Sequence, residues 1–335
     1  MRPARVEDDY RSDVVTWRPG TMGALSRRAG QDRPASMETT PDRMGDPLAA
    51  AYAAHGRRVF DVAYRMLGSV AAAEDAMHDA FVRLSGRELR DIADIRGWLV
   101  TVTSRLCLDQ MGSAAARRTA YVGPWLPEPL VAFGDAVDPA VQVTLDESVR
   151  MAMLVVLEQL TPAERTSFLL HDVFALDFDA VSEIVGRSPA ACRQLASRAR
   201  RRIQADDERP RFSVPSADAR QVAERFANAC RTGRVAALLE VLDPGVVGEF
   251  DSGGHVPGAP LDPVEGAAPV AAILAGTTAT PGLEVEVVVV NGEPGVAFRL
   301  AGRVVAVVVV APIDGRVGHI LAVGNPDKLA HLVVR

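Results

Sequence analysis

The chain has 335 residues, 48% of them hydrophobic and 24% charged, with a formal net charge of -6. That length allows two or three domains, each with its own core, and a balanced composition excludes low-complexity and collagen-like classes. Cys107, Cys192 and Cys230 stand far apart without a C-x-x-C pair, which argues against a zinc or dithiol site and fits reduced thiols in a cytoplasm.

No run of 18 apolar residues is present to span a membrane. The opening MRPARVEDDY lacks an apolar h-region, so no secretory signal is expected. Residues 1–45 show no sustained apolar period and read as a disordered tail. Helical periodicity begins at DPLAAAYAAHGRRVFDVAYRMLG, with Asp46 as a candidate N-cap and Pro47 in the first helical position. Gly68 stops that helix and Ser69 caps the next, where Val70, Ala73, Met77, Ala80, Phe81 and Leu84 recur at three and four residues. After the charged loop SGRELRDIAD, a third helix over 95–111 buries Ile95, Trp98, Leu99, Val102 and Leu106. Residues 46–112 therefore make a small helical bundle.

Residues 113–145 read as a linker, stiffened by the three prolines of YVGPWLPEPL. Helices resume over 146–206, where Thr161 and Glu164 form a capping box around Pro162. The short helix DFDAVSEIV turns Phe178, Val181 and Val185 inward. It is followed by a tight turn at Gly186-Arg187, an N-cap at Ser188 and Pro189 at the start of the next helix. That is the spacing of a helix-turn-helix, whose second helix enters the DNA major groove.

The charge pattern supports this reading. Residues 164–183 carry five acids and one base, whereas 186–203 carry six arginines and no acid. On the second helix Cys192, Leu195, Ala196, Ala199 and Ile203 share one face. Arg193, Gln194, Ser197, Arg198, Arg200 and Arg201 share the opposite one, with Arg187 and Ser188 at the turn. Such a face suits a duplex that presents one phosphate charge per roughly 1.7 Å, and Arg and Gln read guanine and adenine edges.

Residues 207–335 form an α+β domain. Helices are expected over 218–242, followed by a strand in VVGEFDSGGHV and a helix near 266–275. Strands follow at 283–290, 295–300, 303–311 and 317–323, joined by turns at Asn291-Gly292, Ala301-Gly302 and Asp314-Gly315. The apolar run VVAVVVVAP suits a strand buried on both faces of a curved sheet wrapped on helices.

FDVAYRMLGSVAAAEDAMHDAFVRL and DIRGWLVTVTSRLCLDQM resemble region 2 of extracytoplasmic-function sigma factors of the sigma-70 family. LTPAERTSFLLHDVFALDFDAVSEIVGRSPAACRQLASRARRRI resembles region 4. The remainder is similar to the sigma-J-type subgroup with a SnoaL-like, NTF2-like cone. YVGPWLPEPL and NPDKL resemble that subgroup's linker and terminal motifs, and DSGGH stands where it usually has Asp-Gly-Gly-Gly-Lys. The resemblance implies a multidomain fold of two all-α domains plus the cone, with promoter DNA and the beta and beta-prime subunits of core RNA polymerase as partners. It implies -35 contacts from the arginine helix and -10 contacts from Arg87, Arg90, Arg96, Trp98 and Arg105. Polymerase contacts are implied for Glu74, Asp75, Asp79 and Phe81. Interdomain contacts are implied for Trp125, Leu126, Asp251, His255, Asn325, Asp327 and Lys328. The period of Trp98 favours burial over base stacking.

Two other readings stay open. One is a one-component helix-turn-helix regulator with a ligand-binding domain, against which the 46–112 bundle argues. The other is an NTF2-like enzyme fused to a DNA-binding module, using Asp251 and His255 as an acid-base pair in the cone, against which their place beside a Gly-Gly turn argues, since it sets them at the sheet rim. No P-loop, G-x-G-x-x-G, G-x-S-x-G or zinc spacing exists, so no cofactor or metal is expected. Whether the cone holds a small ligand is left open.

Overall fold

The computed structural model describes residues 47–118, 121–133, 150–207 and 219–332. The expected tail at 1–45 and the cap at Asp46 lie outside them.

The first bundle comprises α1 (Pro47–Leu67), α2 (Val70–Ser85) and α3 (Ile95–Arg118), with a 3-10 turn at Leu89–Asp91 between the last two. Ser69 caps α2, its side chain accepting from the Ala72 amide. Helix α3 runs seven residues past the expected end at 111. The extra stretch contains Ser-Ala-Ala-Ala-Arg-Arg, and Ala and Arg are strong helix formers.

The second bundle comprises α4 (Met151–Glu158), α5 (Pro162–Phe168), α6 (Phe178–Val185) and α7 (Pro189–Asp207). The Thr161–Glu164 capping box opens α5. A π-helical turn at Leu169–Val173, with no counterpart in the sequence expectation, extends it. The two bundles are not separate bodies. One hydrophobic cluster joins Val62, Met66 and Cys107 of the first to Leu157, Leu169 and Cys192 of the second.

The C-terminal domain starts with α8 (Ala219–Thr232) and α9 (Val235–Val241). It continues through β2 (Leu242–Asp251), β3 (Val264–Glu265) and α10 (Ala267–Thr278), then β4 (Leu283–Val290), β5 (Glu293–Leu300), β6 (Arg303–Ile313), β7 (Arg316–Val323) and the single turn α11 (Pro326–Leu329). The hairpins turn where expected; Asn291 and Gly292 both take positive φ, as a two-residue primed turn requires. The linker contributes a strand of its own, β1 (Val131–Ala132), so the sheet order is β1-β4-β5-β6-β7-β2-β3. Strand β1 pairs antiparallel with β4, Val131 opposite Val290, and β2 pairs parallel with β7.

Strand β6 is buried on both faces, as its apolar run requires, but the helices of its own domain account for only one of them. Val308 and Val310 pack with Phe226 and Leu274 of α8 and α10. Val307 and Val309 pack with linker residue Leu126 and with Met151 and Val155 of α4. The linker and the second bundle thus cover the outer face of the cone, and that placement builds the interdomain site.

Candidate nucleic-acid interface and interdomain clasp

The helix-turn-helix is set by local chemistry. Asp177 caps α6 through the Ala180 amide at 2.8 Å, and Gly186 ends it in the left-handed region at φ 70°. Ser188 then accepts from the Ala191 amide at 3.3 Å, opening α7. Within α6 Val181 and Ile184 are buried, and Phe178 and Val185 are half-buried and pack against the same core, as the inward set requires; Ile184 is an addition to it. His171 stacks on the Phe178 ring with centroids 3.9 Å apart.

On α7 the five apolar residues face inward and are buried. Arg187, Ser188, Arg193, Gln194, Arg198 and Arg201 are exposed, and Ser197 is half-buried. Arg193 lies over the Phe178 ring at 5.4 Å, which orients its guanidinium. Arg200 is held by Asp172 at 2.8 Å, so it is an internal tie as much as a free cation. Arg202 is also exposed. Sequence reasoning left it out, although at 100° per residue it stands beside Arg198.

In the first bundle Asp75, Asp79 and Val82 lie one helical turn apart and are exposed, giving α2 an acidic and apolar stripe. Glu74 is exposed beside it; partial burial raises its carboxyl above the ordinary range, opposed by His331 and reinforced by Asp75 and Glu128. Phe81 is not on that stripe. It is 1% exposed and meets the Tyr52 ring at 4.9 Å, so its expected role as a polymerase contact is replaced by a core role. Its i, i+3 and i, i+4 partners Met77 and Leu84 are buried with it, and the helical period prevails.

Arg87, Arg90 and Arg96 are exposed on and beside the 3-10 turn, Arg90 standing 3.6 Å from Glu88. Trp98 is half-buried, with one side on the first-bundle core and one side lining a cleft with Arg87, Asp91 and Asp94. Arg105 donates to the Glu183 carbonyl of α6 at 3.0 Å. Its guanidinium is therefore engaged between the bundles in this arrangement.

The expected interdomain residues mostly converge on Asp251, at the end of β2. Its carboxylate, 0% exposed, accepts from the Leu126 amide at 2.8 Å, from Lys328 Nζ at 2.6 Å and from the Gly253 amide at 3.1 Å. The Tyr121 hydroxyl donates to the same carboxylate at 2.5 Å. Lys328 also donates to the Leu126 carbonyl, so the Asp251–Lys328 pair grips both sides of one linker residue. The ammonium lies 4.0 Å from the Trp125 ring centre and 4.8 Å from that of Tyr121, which encloses the charge in aromatic faces. Asn325 caps α11 and donates to the Tyr121 hydroxyl at 2.8 Å. Gly253 takes φ 58°, and a Cβ there would fall 2.3 Å from the Asn325 amide nitrogen.

Two expectations at this site are corrected. Asp251 is buried under the linker rather than set at a rim, and its oxygens are taken by the partners above. His255 stands outside with Asp327, at 3.4 Å and half exposed. The two side chains face different surroundings, which removes the acid-base pair.

A second tie escaped sequence reasoning altogether. Asn291, read only as a turn residue, is buried, and its side chain accepts from the Leu130 amide at 3.0 Å while donating to Tyr64 Oη at 2.9 Å. Tyr64, on α1, donates to the Glu128 carbonyl, and the Glu128 carboxylate accepts from the Val70 amide at 2.7 Å. Arg165 completes the join between bundles, donating to the Met66 carbonyl at 2.6 Å and pairing with Glu158 at 2.6 Å. Only the burial of the linker between α1 and the cone brings these groups together.

Two family models match. Sigma-70 region 2 covers residues 51–117, and Sigma-70, region 4 covers residues 150–203. The chain is 40% identical over 288 residues to the ECF RNA polymerase sigma factor SigJ of Mycobacterium tuberculosis strain H37Rv, covering 81% of this chain and 90% of that one. The chain belongs to the extracytoplasmic-function sigma factors of the sigma-70 family. The probable ECF RNA polymerase sigma factor SigI of the same organism is 46% identical over 213 residues, 62% of this chain and 71% of that one. The crystal structure of Mycobacterium tuberculosis SigJ superposes with a TM-score of 0.65 at 34% identity, covering 84% of this chain and 98% of that one. This sigma factor therefore carries helical regions 2 and 4 and a mixed-sheet C-terminal domain in the order its sequence implied. Among the described residues no helix is long and apolar enough to cross a membrane.

Proposed function

We propose that this sigma factor binds core RNA polymerase in the cytoplasm, directs it to promoters through their -35 and -10 elements, and is regulated in cis by its C-terminal domain. The carrying observation is the exposed Arg-Gln face of α7 on a helix-turn-helix whose opposite face is fully used in packing. Arg193, Gln194, Arg198, Arg201 and Arg202 read or hold the -35 major groove, with Arg187, Ser188 and Ser197 at its edges and Arg200 kept for Asp172. Arg87, Arg90 and Arg96 bring donors to the -10 bases, and the open side of Trp98 offers a stacking surface. Asp75, Asp79 and Val82, with Glu74 beside them, dock on the beta and beta-prime subunits.

Cis regulation rests on the clasp. Leu126 is held by Asp251 and Lys328, and Leu130 by Asn291, while Arg105 is engaged on Glu183 and Arg58 on the Phe174 carbonyl. Freeing Arg105 for DNA requires the bundles to part, and the clasped linker sets how readily they do so. The test is sequencing of RNA 5′ ends made by the full chain with core polymerase. Defined starts that vanish in the Arg193→Ala/Arg198→Ala variant support the reading; identical starts in that variant defeat it.

A further inference from the structure

The clasp does not use the other side of the Asp251 turn, where an apolar cleft of about 520 Å³ opens between the sheet and α10. That volume lies within the range of small-molecule sites. The sheet supplies Phe250, Phe298 and Val308, α10 supplies Ile273 and Thr277, and the loop Val256–Pro260 forms the third wall. Val256 and Val305 leave 51% and 37% of their surface exposed there.

Among the described residues the only charged one of the lining is Asp251, whose carboxylate is already bound by Tyr121, Leu126, Gly253 and Lys328. The Thr277 and Thr278 hydroxyls donate back to their own helix, to the Ile273 and Leu274 carbonyls. Hydroxyl lone pairs and two aromatic side chains are what the cleft offers a guest. We propose that the cone is a binding site, without turnover, for a small uncharged ring compound bearing a hydroxyl or amine donor, and that its occupancy is coupled to the linker clasp.

The coupling has a physical route. The wall loop also packs on the linker: a Cβ at Gly123 would lie 3.7 Å from Leu261 and 3.8 Å from the Pro260 carbonyl. One at Gly254 would lie 3.2 Å from Val122. A guest that fixes this loop fixes the surface on which Val122 and Gly123 rest, three residues before the gripped Leu126. Linkage then requires the clasped linker to raise guest affinity by the same factor. The coupling rests on the cis-regulation reading; the binding does not.

The full chain is titrated with the neutral fluorophore N-phenyl-1-naphthylamine, a secondary aromatic amine, and hydrogen exchange of residues 121–133 is followed with and without saturating probe. Two variants fill the cleft. Gly276→Phe lies on α10, where a Cβ meets nothing within 4 Å. Ala306→Phe lies on β6, so failure of one variant to fold leaves the other to decide. The expected result is saturable binding of one probe per chain, weakened by about tenfold or more in the folded variants, with slower exchange of the Leu126 and Leu130 amides in the loaded wild type. No saturable binding, or equal affinity in the folded variants, overturns the site. Binding that leaves linker exchange unchanged overturns the coupling. Neither outcome touches promoter-dependent transcription, which tests the sigma-factor reading separately.

Discussion

Replacing Asp251 by Asn keeps the shape of the clasp and removes its charge. Asp251 and Lys328 are 0% and 7% exposed with 2.6 Å between their charged atoms. At an effective dielectric of about 20 their attraction is about 6 kcal/mol, most of it offsetting the cost of taking both ions out of water. What the variant measures is the lone ammonium left behind, buried between Trp125 and Tyr121, and a buried pair broken on one side costs about 3–5 kcal/mol. Asp251→Asn is therefore expected to destabilise the full chain by about 3–5 kcal/mol in urea denaturation, with faster exchange of the Leu126 amide. Lys328→Met alone leaves the carboxylate with three neutral donors and costs less. The double variant removes both charges and recovers to within about 1–2 kcal/mol of the wild type. Single effects that simply add would refute a charge-pair clasp.

Phe81→Ala is expected to lower stability by about 3–5 kcal/mol, measured by thermal unfolding, and to affect polymerase binding only through folding. Arg198→Ala is expected to weaken promoter DNA binding by about 1–3 kcal/mol if it reads a base, and Arg200→Ala to weaken it less because Asp172 already holds that guanidinium; both are checked by fluorescence anisotropy. Burial between α4 and the cone lifts the Glu293 carboxyl from 4.5 to about 7, opposed by Arg150 at 3.6 Å. A raised acid gains its proton in the folded state first, so this contribution is complete below about pH 4.5 and is lost as pH rises past about 7. Glu293→Gln should flatten urea midpoints across that window and exceed the wild type above it. Ala301 sits at φ 50° in the β5–β6 turn; Ala301→Gly should raise stability by about 1 kcal/mol, relieving the left-handed strain.

The elements whose signals are local were legible. Gly186, Ser188 and Pro189 mark the helix-turn-helix, and the dipeptides at 291, 301 and 314 mark the hairpins, because each depends on residues within one turn of itself. The arginine face of α7 followed from angular position alone. What was not legible depends on partners distant in sequence. Strand β1 is two residues long, too short for any period to show, and forms because Val290 offers it an edge. Asn291 satisfied its turn so well that its side chain went unexamined, yet that side chain ties Leu130 to Tyr64. Asp251 was located by resemblance, but its burial could not be read without knowing that Lys328 and the Leu126 peptide arrive on it from opposite ends of the chain. The π-helical turn at Leu169–Val173 carries no periodic signature. Phe81 shows the opposite case, where the apolar period placed it in the core and a family role drew it outward.

The claim that the cone acts in cis through the linker is tested most directly by promoter-specific transcription with core polymerase, comparing the wild-type full chain with Asp251→Asn at equal folded concentration. A released clasp is expected to change transcript yield while the 5′ end stays in place, since the residues proposed to read the -35 and -10 elements are untouched. Equal yield from the two chains, with the Leu126 amide shown to be deprotected in the variant, would contradict it.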